Sequence, residues 1–245
     1  MLFEIKSSIE IFRQAYDLII LLGFVILIVT GILILTFQDY IYISVTGIFL
    51  RISKITEINL IEFIFALFSF LIVIALYTLS LIILTVATKE YRADRMSASV
   101  FIKNVISSFP EVYKIFIIWF LIQFNLSVLW YVNAWDPMIL SIIFFLISYI
   151  FLFIPYAIVI EEVDFDRAIR KLYIFRKELA IYPIMYSAIG LIINLILIFI
   201  FGLVFPLDIV RIMMLVINIF IIVPFLVILG ANLYFNKFSL SIRKI

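Results

Sequence analysis

Three asparagines lie deep inside the long apolar segments of this chain. Each of them, at Asn125, Asn194 and Asn218, lies about nine to thirteen residues from one end of its segment. At about 1.5 Å per helical residue, that spacing places all three amides at a similar depth, roughly 14–20 Å from the end. We interpret them as one polar cluster, which either bonds helices to each other or lines a site for a substrate or water.

Basic residues form a second set, and they lie in the polar segments between the apolar ones. In residues 99–107 and 164–179 they alternate with apolar residues at helical spacing, as they do in residues 5–16. That pattern is typical of amphipathic helices in a membrane interface, where Lys and Arg contact lipid headgroups. The same helices are also suited to dock a partner protein. The basic residues concerned are Lys103, Arg167, Arg170, Lys171, Arg176 and Lys177.

The chain has no histidine and no cysteine, which removes the commonest general base, the commonest metal ligand and all thiol chemistry. Motifs of phosphate-binding loops, zinc proteases and serine hydrolases are absent from the sequence. Four acidic residues at positions 161–166 could bind a cation, although starting the helix that follows is the simpler role. We therefore expect no catalytic residue, no cofactor and no metal site.

The composition shows what surrounds these polar residues. Hydrophobic residues make up 67% of the 245 positions and the mean hydropathy is +1.34, which is too apolar for a water-soluble domain of this size. A helix needs about 20 apolar residues to cross a membrane, and continuous apolar runs favour helices over a β-barrel. The predicted spans are residues 18–37, 63–88, 114–131, 138–160, 181–205 and 209–235.

These spans predict an all-α fold, namely a polytopic membrane helical bundle of about six spans with interfacial amphipathic helices. We expect a single integral membrane domain over residues 1–245. Counts of five or seven spans stay open, because only a few residues separate the fifth run from the sixth.

The distribution of Lys and Arg predicts the orientation. Fifteen of the eighteen basic residues lie in the first segment, the tail and the loops after the second and fourth spans. Because basic residues are retained on the cytoplasmic side, both termini should be cytoplasmic, and we expect the protein in the cell membrane.

Prolines are the next notable feature of the spans. Pro155, Pro183 and Pro224 fall inside predicted spans, where the ring allows a kink. The fourth span reads FLFIPYAIVI and the sixth reads FIIVPFLVIL, so that an aromatic follows the proline in both. This similarity suggests three repeats, each an interfacial helix followed by a helical hairpin.

The segment IPYAIVIEEVDFDRAIRKLYIFRKEL resembles membrane-domain families that include the membrane domain of some glycerophosphodiester phosphodiesterases. The matching positions are Pro155, then Glu161 or Glu162, then Ala168–Lys171. The chain departs from the pattern at Leu172, where those families usually carry a serine. The resemblance implies the span topology, and it implies no hydrolase activity because no catalytic domain is attached.

Three classes of function are compatible with the sequence. The first is a non-catalytic membrane component that works with a cytoplasmic or membrane protein partner, or as a homo-oligomer. The second is a permease subunit of an ATP-driven or other transporter, in which residues 99–107 and 164–179 would couple to a separate ATPase. The third, an intramembrane enzyme, has little support. We expect contacts with membrane lipids and none with nucleic acid.

Overall fold

The computed structural model describes residues 2–37, 41–44, 47–50, 60–93, 98–133, 137–174 and 181–237. Helices make up nearly all of this part of the chain. In chain order the elements are α1 (Leu2–Gln14), α2 (Tyr16–Thr36), β1 (Ile41–Ser44), β2 (Gly47–Leu50), α3 (Leu60–Ala93), α4 (Ala98–Val132), α5 (Pro137–Phe151), α6 (Ile154–Glu161), α7 (Phe165–Ile174), α8 (Ile181–Gly202), α9 (Leu207–Ile217), a π-helix (Asn218–Ile222) and α10 (Val223–Lys237).

The prediction of a helical membrane protein is confirmed, and six spans is an approximate count. Among the described residues, five helices are long and apolar enough to cross a membrane. They contain the predicted spans 18–37 (α2), 63–88 (α3), 114–131 (α4), 181–205 (α8) and 209–235 (α9 to α10), to within a few residues. The predicted span 138–160 is instead divided into α5 and α6, because the helix is interrupted at Leu152 and Phe153.

One interfacial helix was wrongly predicted as a separate element. Residues 99–107 are the first turns of α4, a continuous helix of 35 residues with Pro110 inside it. The continuity follows from packing, because Val105, Val112 and Ile115 place one buried face along both parts of the helix. A helix of this length measures roughly 52 Å, so about 20 Å extends beyond a hydrocarbon core of about 30 Å.

A short β-hairpin lies in the connection between α2 and α3. Its strands are antiparallel, with Ile41 opposite Leu50 and Ser44 opposite Gly47. β1 lies against α9. The hairpin is a local addition to a bundle that is otherwise helical in the described residues.

α6 and α10 form the centre of the bundle, where every residue of Ile154–Ile160 and of Val227–Tyr234 is buried. α10 packs against α1, α3, α6 and α8, whereas α6 packs against α3, α4 and α7. The helices around this centre direct large apolar side chains outward, as lipid-facing helices do.

Close approach at the centre depends on a glycine. A Cβ atom at Gly230 would lie 2.5 Å from the hydroxyl oxygen of Tyr156, well inside van der Waals contact. Tyr156 is itself packed against Phe153, with ring centroids 6.0 Å apart. Gly230 therefore allows α6 and α10 to pack face to face around the Tyr156 ring.

α1 packs on the bundle through a face that carries both polar and apolar residues. Glu4, Ser8 and Ile11 recur at helical spacing and are buried, and α1 contacts mainly α10. Of the predicted apolar stripe, Ile5 and Phe12 pack against the core, whereas Ile9 and Tyr16 are exposed. α1 is therefore attached to the bundle and also presents an apolar edge to its surroundings.

Candidate functional site

Two of the three asparagines meet inside the bundle. The Asn218 amide nitrogen Nδ2 donates to Asn194 Oδ1 at 3.1 Å and to the carbonyl oxygen of Met214 at 2.8 Å. The Asn194 Nδ2 donates to the carbonyl oxygen of Gly190 at 2.9 Å. The pair is a direct interhelical hydrogen bond between α8 and the start of the π-helix.

The π-helix gives this asparagine pair an unusual backbone setting. Asn218 is the first residue of the π-helix Asn218–Ile222, which widens the helix by one residue per turn. Phe220, inside the same turn, packs edge-on against Phe24 with centroids 5.3 Å apart. Gly23 makes room for it, because a Cβ atom there would lie 2.5 Å from the Phe220 ring. Such turns are common at functional sites.

Asn125 does not join the other two asparagines. It lies on an exposed face of α4, and its Nδ2 donates at 2.7 Å to the carbonyl oxygen of Leu121 one turn earlier. The proposed three-residue cluster is therefore a pair, Asn194 with Asn218, and Asn125 is directed outward.

The prolines occupy comparable positions in two spans. Pro155 lies in the first turn of α6, directly after the interruption, and Pro224 is the second residue of α10, directly after the π-helix. In both spans the irregularity precedes the proline, where the missing N–H and the ring disturb the hydrogen-bond ladder. Pro183 lies in the first turn of α8, where a helix can accept proline without losing a hydrogen bond. The threefold repeat itself stays a prediction.

The basic residues of α7 are presented by a helix that is fixed to α4. Ala168 is fully buried on the inner side of α7, whereas Arg167 and Arg170 are exposed. The backbone N–H of Phe165, at the start of α7, donates to Glu111 Oε2 of α4 at 3.4 Å. The Lys114 ammonium lies 5.9 Å from the centre of the Phe165 ring, a cation–π distance.

The other predicted basic residues are placed as follows. Lys103 is exposed in the second turn of α4, next to exposed Ile102 and near exposed Ile106. Lys171 belongs to α7, of which only the backbone is described at that position. Arg176 and Lys177 lie outside the described residues.

The sequence did not predict a buried polar contact between α1 and α10. Asn232 Nδ2 donates to Ser8 Oγ at 2.7 Å, and Ser8 Oγ donates to the carbonyl oxygen of Glu4 at 2.7 Å. Both Ser8 and Asn232 are fully buried. In the sequence, Ser8 lies at the edge of the apolar stripe of α1, one turn before Phe12. No local pattern shows which helix it contacts.

A set of polar contacts joins the helix ends at one face of the bundle, which we call the basic end. The Lys89 ammonium pairs with Glu162 Oε1 at 2.6 Å, and the Tyr234 hydroxyl donates to Glu161 Oε1 at 2.7 Å. Arg92 donates to Asn236. These contacts place the ends of α3, α6 and α10 at the same face, as the predicted topology requires.

The fold and these polar contacts define a multi-pass helical membrane protein. Comparison with protein-family models, with curated proteins and with solved structures found no match. The resemblance of residues 154–179 to membrane-domain families consequently stays a prediction.

Proposed function

We propose that this is a non-catalytic membrane component that acts with a partner protein at the basic end of the bundle. The observation that carries the proposal is the attachment of α7, which leaves Arg167, Ile169 and Arg170 exposed on a fixed helix. A basic helix that only floated on headgroups would need no such attachment.

The anchoring contacts of α7 are specific. Ala168 is buried against the bundle, and the Glu111 carboxylate accepts a hydrogen bond from the first backbone N–H of the helix. A carboxylate at a helix N-terminus also interacts favourably with the helix dipole. The exposed side of α7 is thus held in one orientation before any partner binds, which lowers the entropy lost on docking.

The chemistry of the exposed surface favours an acidic partner with an apolar contact residue. Arg167, Arg170 and Lys103 supply positive charge, while Ile102 and Ile169 supply exposed apolar surface on the same two packed helices. Arginine and an apolar anchor are typical of the residues that contribute most at protein interfaces. The extension of α4 beyond the core places this surface within reach of a peripheral protein.

Charge reversal tests the proposal. In the wild type, we expect a partner protein to be crosslinked in the native membrane and to purify with the chain in a fixed ratio. The double variant Arg167→Glu with Arg170→Glu should lack this partner. The matched control is Lys6→Glu with Arg13→Glu on α1, where both residues are also basic and exposed. We expect the control to retain the partner.

The headgroup alternative gives a different result in the same experiment. If the basic residues only contact lipid, both double reversals should lower the anionic lipid that copurifies, by similar amounts, and neither should change the crosslinked proteins. That outcome would reject the partner proposal.

A permease is the second candidate, and one observation favours it. One span is interrupted, at Leu152–Phe153, and another contains the π-helix, where the Asn194–Asn218 pair lies. Discontinuous spans with polar groups at mid-depth often line binding sites in transporters.

The access of water to Asn218 distinguishes the two candidate functions, and measuring it requires no knowledge of a substrate. The chain has no cysteine, so that Asn218→Cys introduces a single thiol. In a permease this thiol should react with a hydrophilic, membrane-impermeant reagent from at least one side. In a closed bundle it should react no faster than Leu195→Cys, which is exposed on the outward face of α8.

A further inference from the structure

The outward face of α4 carries an amide at the depth of the hydrocarbon core. Asn125 is exposed between exposed Leu121 and Leu129, one turn away on either side. Exposed Lys114 marks the start of the apolar part of α4, and Asn125 lies eleven residues further on. At about 1.5 Å per residue, its Cα is roughly 16 Å inside, near the middle of a core of about 30 Å.

The amide of Asn125 is only half satisfied by its own helix. Its Nδ2 donates to the carbonyl oxygen of Leu121, and the described part of the chain gives no donor to its Oδ1. Lipid chains offer no hydrogen bond, so an amide oxygen that faces them is unfavourable. The Asn194–Asn218 pair shows how the same side chain is satisfied between helices of this protein.

We propose that this face of α4 is an interface between two copies of the chain. An amide carries both a donor and an acceptor, so Asn125 is complementary to itself across a twofold axis along the membrane normal. In that arrangement Nδ2 of each copy donates to Oδ1 of the other. Leu121 and Leu129 pack above and below the pair, and exposed Asn133 continues the face towards the end of the helix.

Two other outward faces in the described part of the chain, those of α2 and α8, lack this polar feature. At similar depth α2 presents Val25 and Ile28, and α8 presents Leu195 and Ile196, all of them apolar and exposed. Such faces are satisfied by lipid alone. The self-complementary amide distinguishes the outward face of α4 from these apolar faces. It also favours a second copy of the chain as the partner over an apolar helix of another protein.

Cysteine crosslinking in the native membrane tests the interface directly. Leu129→Cys should form a disulfide-linked dimer under mild oxidation, because Leu129 lies one turn from the proposed axis. Leu195→Cys, exposed at similar depth on α8, is the matched control and should give at most a tenth of that yield in the same membranes. Equal yields at the two positions, or a Leu129 crosslink to a different protein, would overturn the proposal.

A second measurement tests the contribution of the Asn125 amide to the dimer. Asn125→Leu removes the proposed hydrogen bonds and leaves a side chain that suits lipid, so that the protomer should fold as before. We expect the dimer dissociation constant, measured by energy transfer between labelled copies diluted in lipid vesicles, to rise about three- to tenfold. An unchanged constant with a normally folded protomer would contradict the role of Asn125.

Discussion

Replacing Gly230 with alanine tests the packing at the centre of the bundle. The added methyl group would lie 2.5 Å from the Tyr156 hydroxyl oxygen and 2.6 Å from the ring carbon that bears it. Tyr156 is fully enclosed, because its ring also packs against Phe153, whose ring packs against Tyr234. The ring therefore has little space to move away.

The magnitude follows from two opposing effects. Overpacking of a buried site costs about 1–3 kcal/mol, and alanine regains up to about 1 kcal/mol of helix propensity relative to glycine. We expect a net loss of about 1–2 kcal/mol in the free energy of unfolding. Gly31→Ala is the matched control, since no atom other than those of its chain neighbours and its own helix backbone lies within 4 Å of a Cβ atom there. The control should be neutral or slightly stabilising.

The assay is reversible unfolding of the purified protein in mixed micelles, with both variants measured against the wild type. Tyr156→Phe should recover part of the loss in Gly230→Ala, because it removes the nearest atom but leaves the ring carbon. If Gly230→Ala is as stable as Gly31→Ala, α6 and α10 do not pack as described and the reasoning is refuted.

Two further substitutions probe polar contacts, one between α1 and α10 and one at the basic end. Ser8→Ala leaves the buried amide of Asn232 without its hydrogen-bond acceptor. We expect a loss of about 1–3 kcal/mol in the free energy of unfolding, measured in the same micelle assay. An unchanged stability would mean that α1 is not attached through this contact. Glu162 has a left-handed backbone (φ 55°, ψ 43°), which costs a residue with a side chain about 1–2 kcal/mol. Its partly exposed ion pair with Lys89 is worth about 1 kcal/mol. Glu162→Gly should therefore be neutral to stabilising, and a clear destabilisation would show that the ion pair matters more than the backbone strain.

The spans could be predicted from the sequence because their apolar runs match the thickness of a bilayer. The continuity of α4 could not, since Pro110 and the polar residues around it resemble a loop. It depends on contacts between α3 and α4, which no local pattern reveals. The division of the fourth span into α5 and α6 was only partly visible, through Pro155.

The depth of the candidate site residues could be predicted from the sequence, but the side of the helix that each one occupies could not. Counting residues placed Asn125, Asn194 and Asn218 at similar depth, whereas the side of the helix that faces the bundle is set by its neighbours. The Ser8–Asn232 contact was missed for the same reason. A serine at the edge of an apolar helix face has no evident hydrogen-bond partner until the neighbouring helix is known.

Thiol labelling at two positions tests the central claim, which is a multi-pass bundle with its basic end in the cytoplasm. Single cysteines replace Asp208, exposed at the start of α9, and Ser99, exposed at the start of α4. In sealed cells or right-side-out vesicles, an impermeant thiol reagent should label Asp208→Cys and should label Ser99→Cys only after permeabilisation. Labelling of Ser99→Cys in the sealed state, with Asp208→Cys protected, would invert the topology and contradict the account.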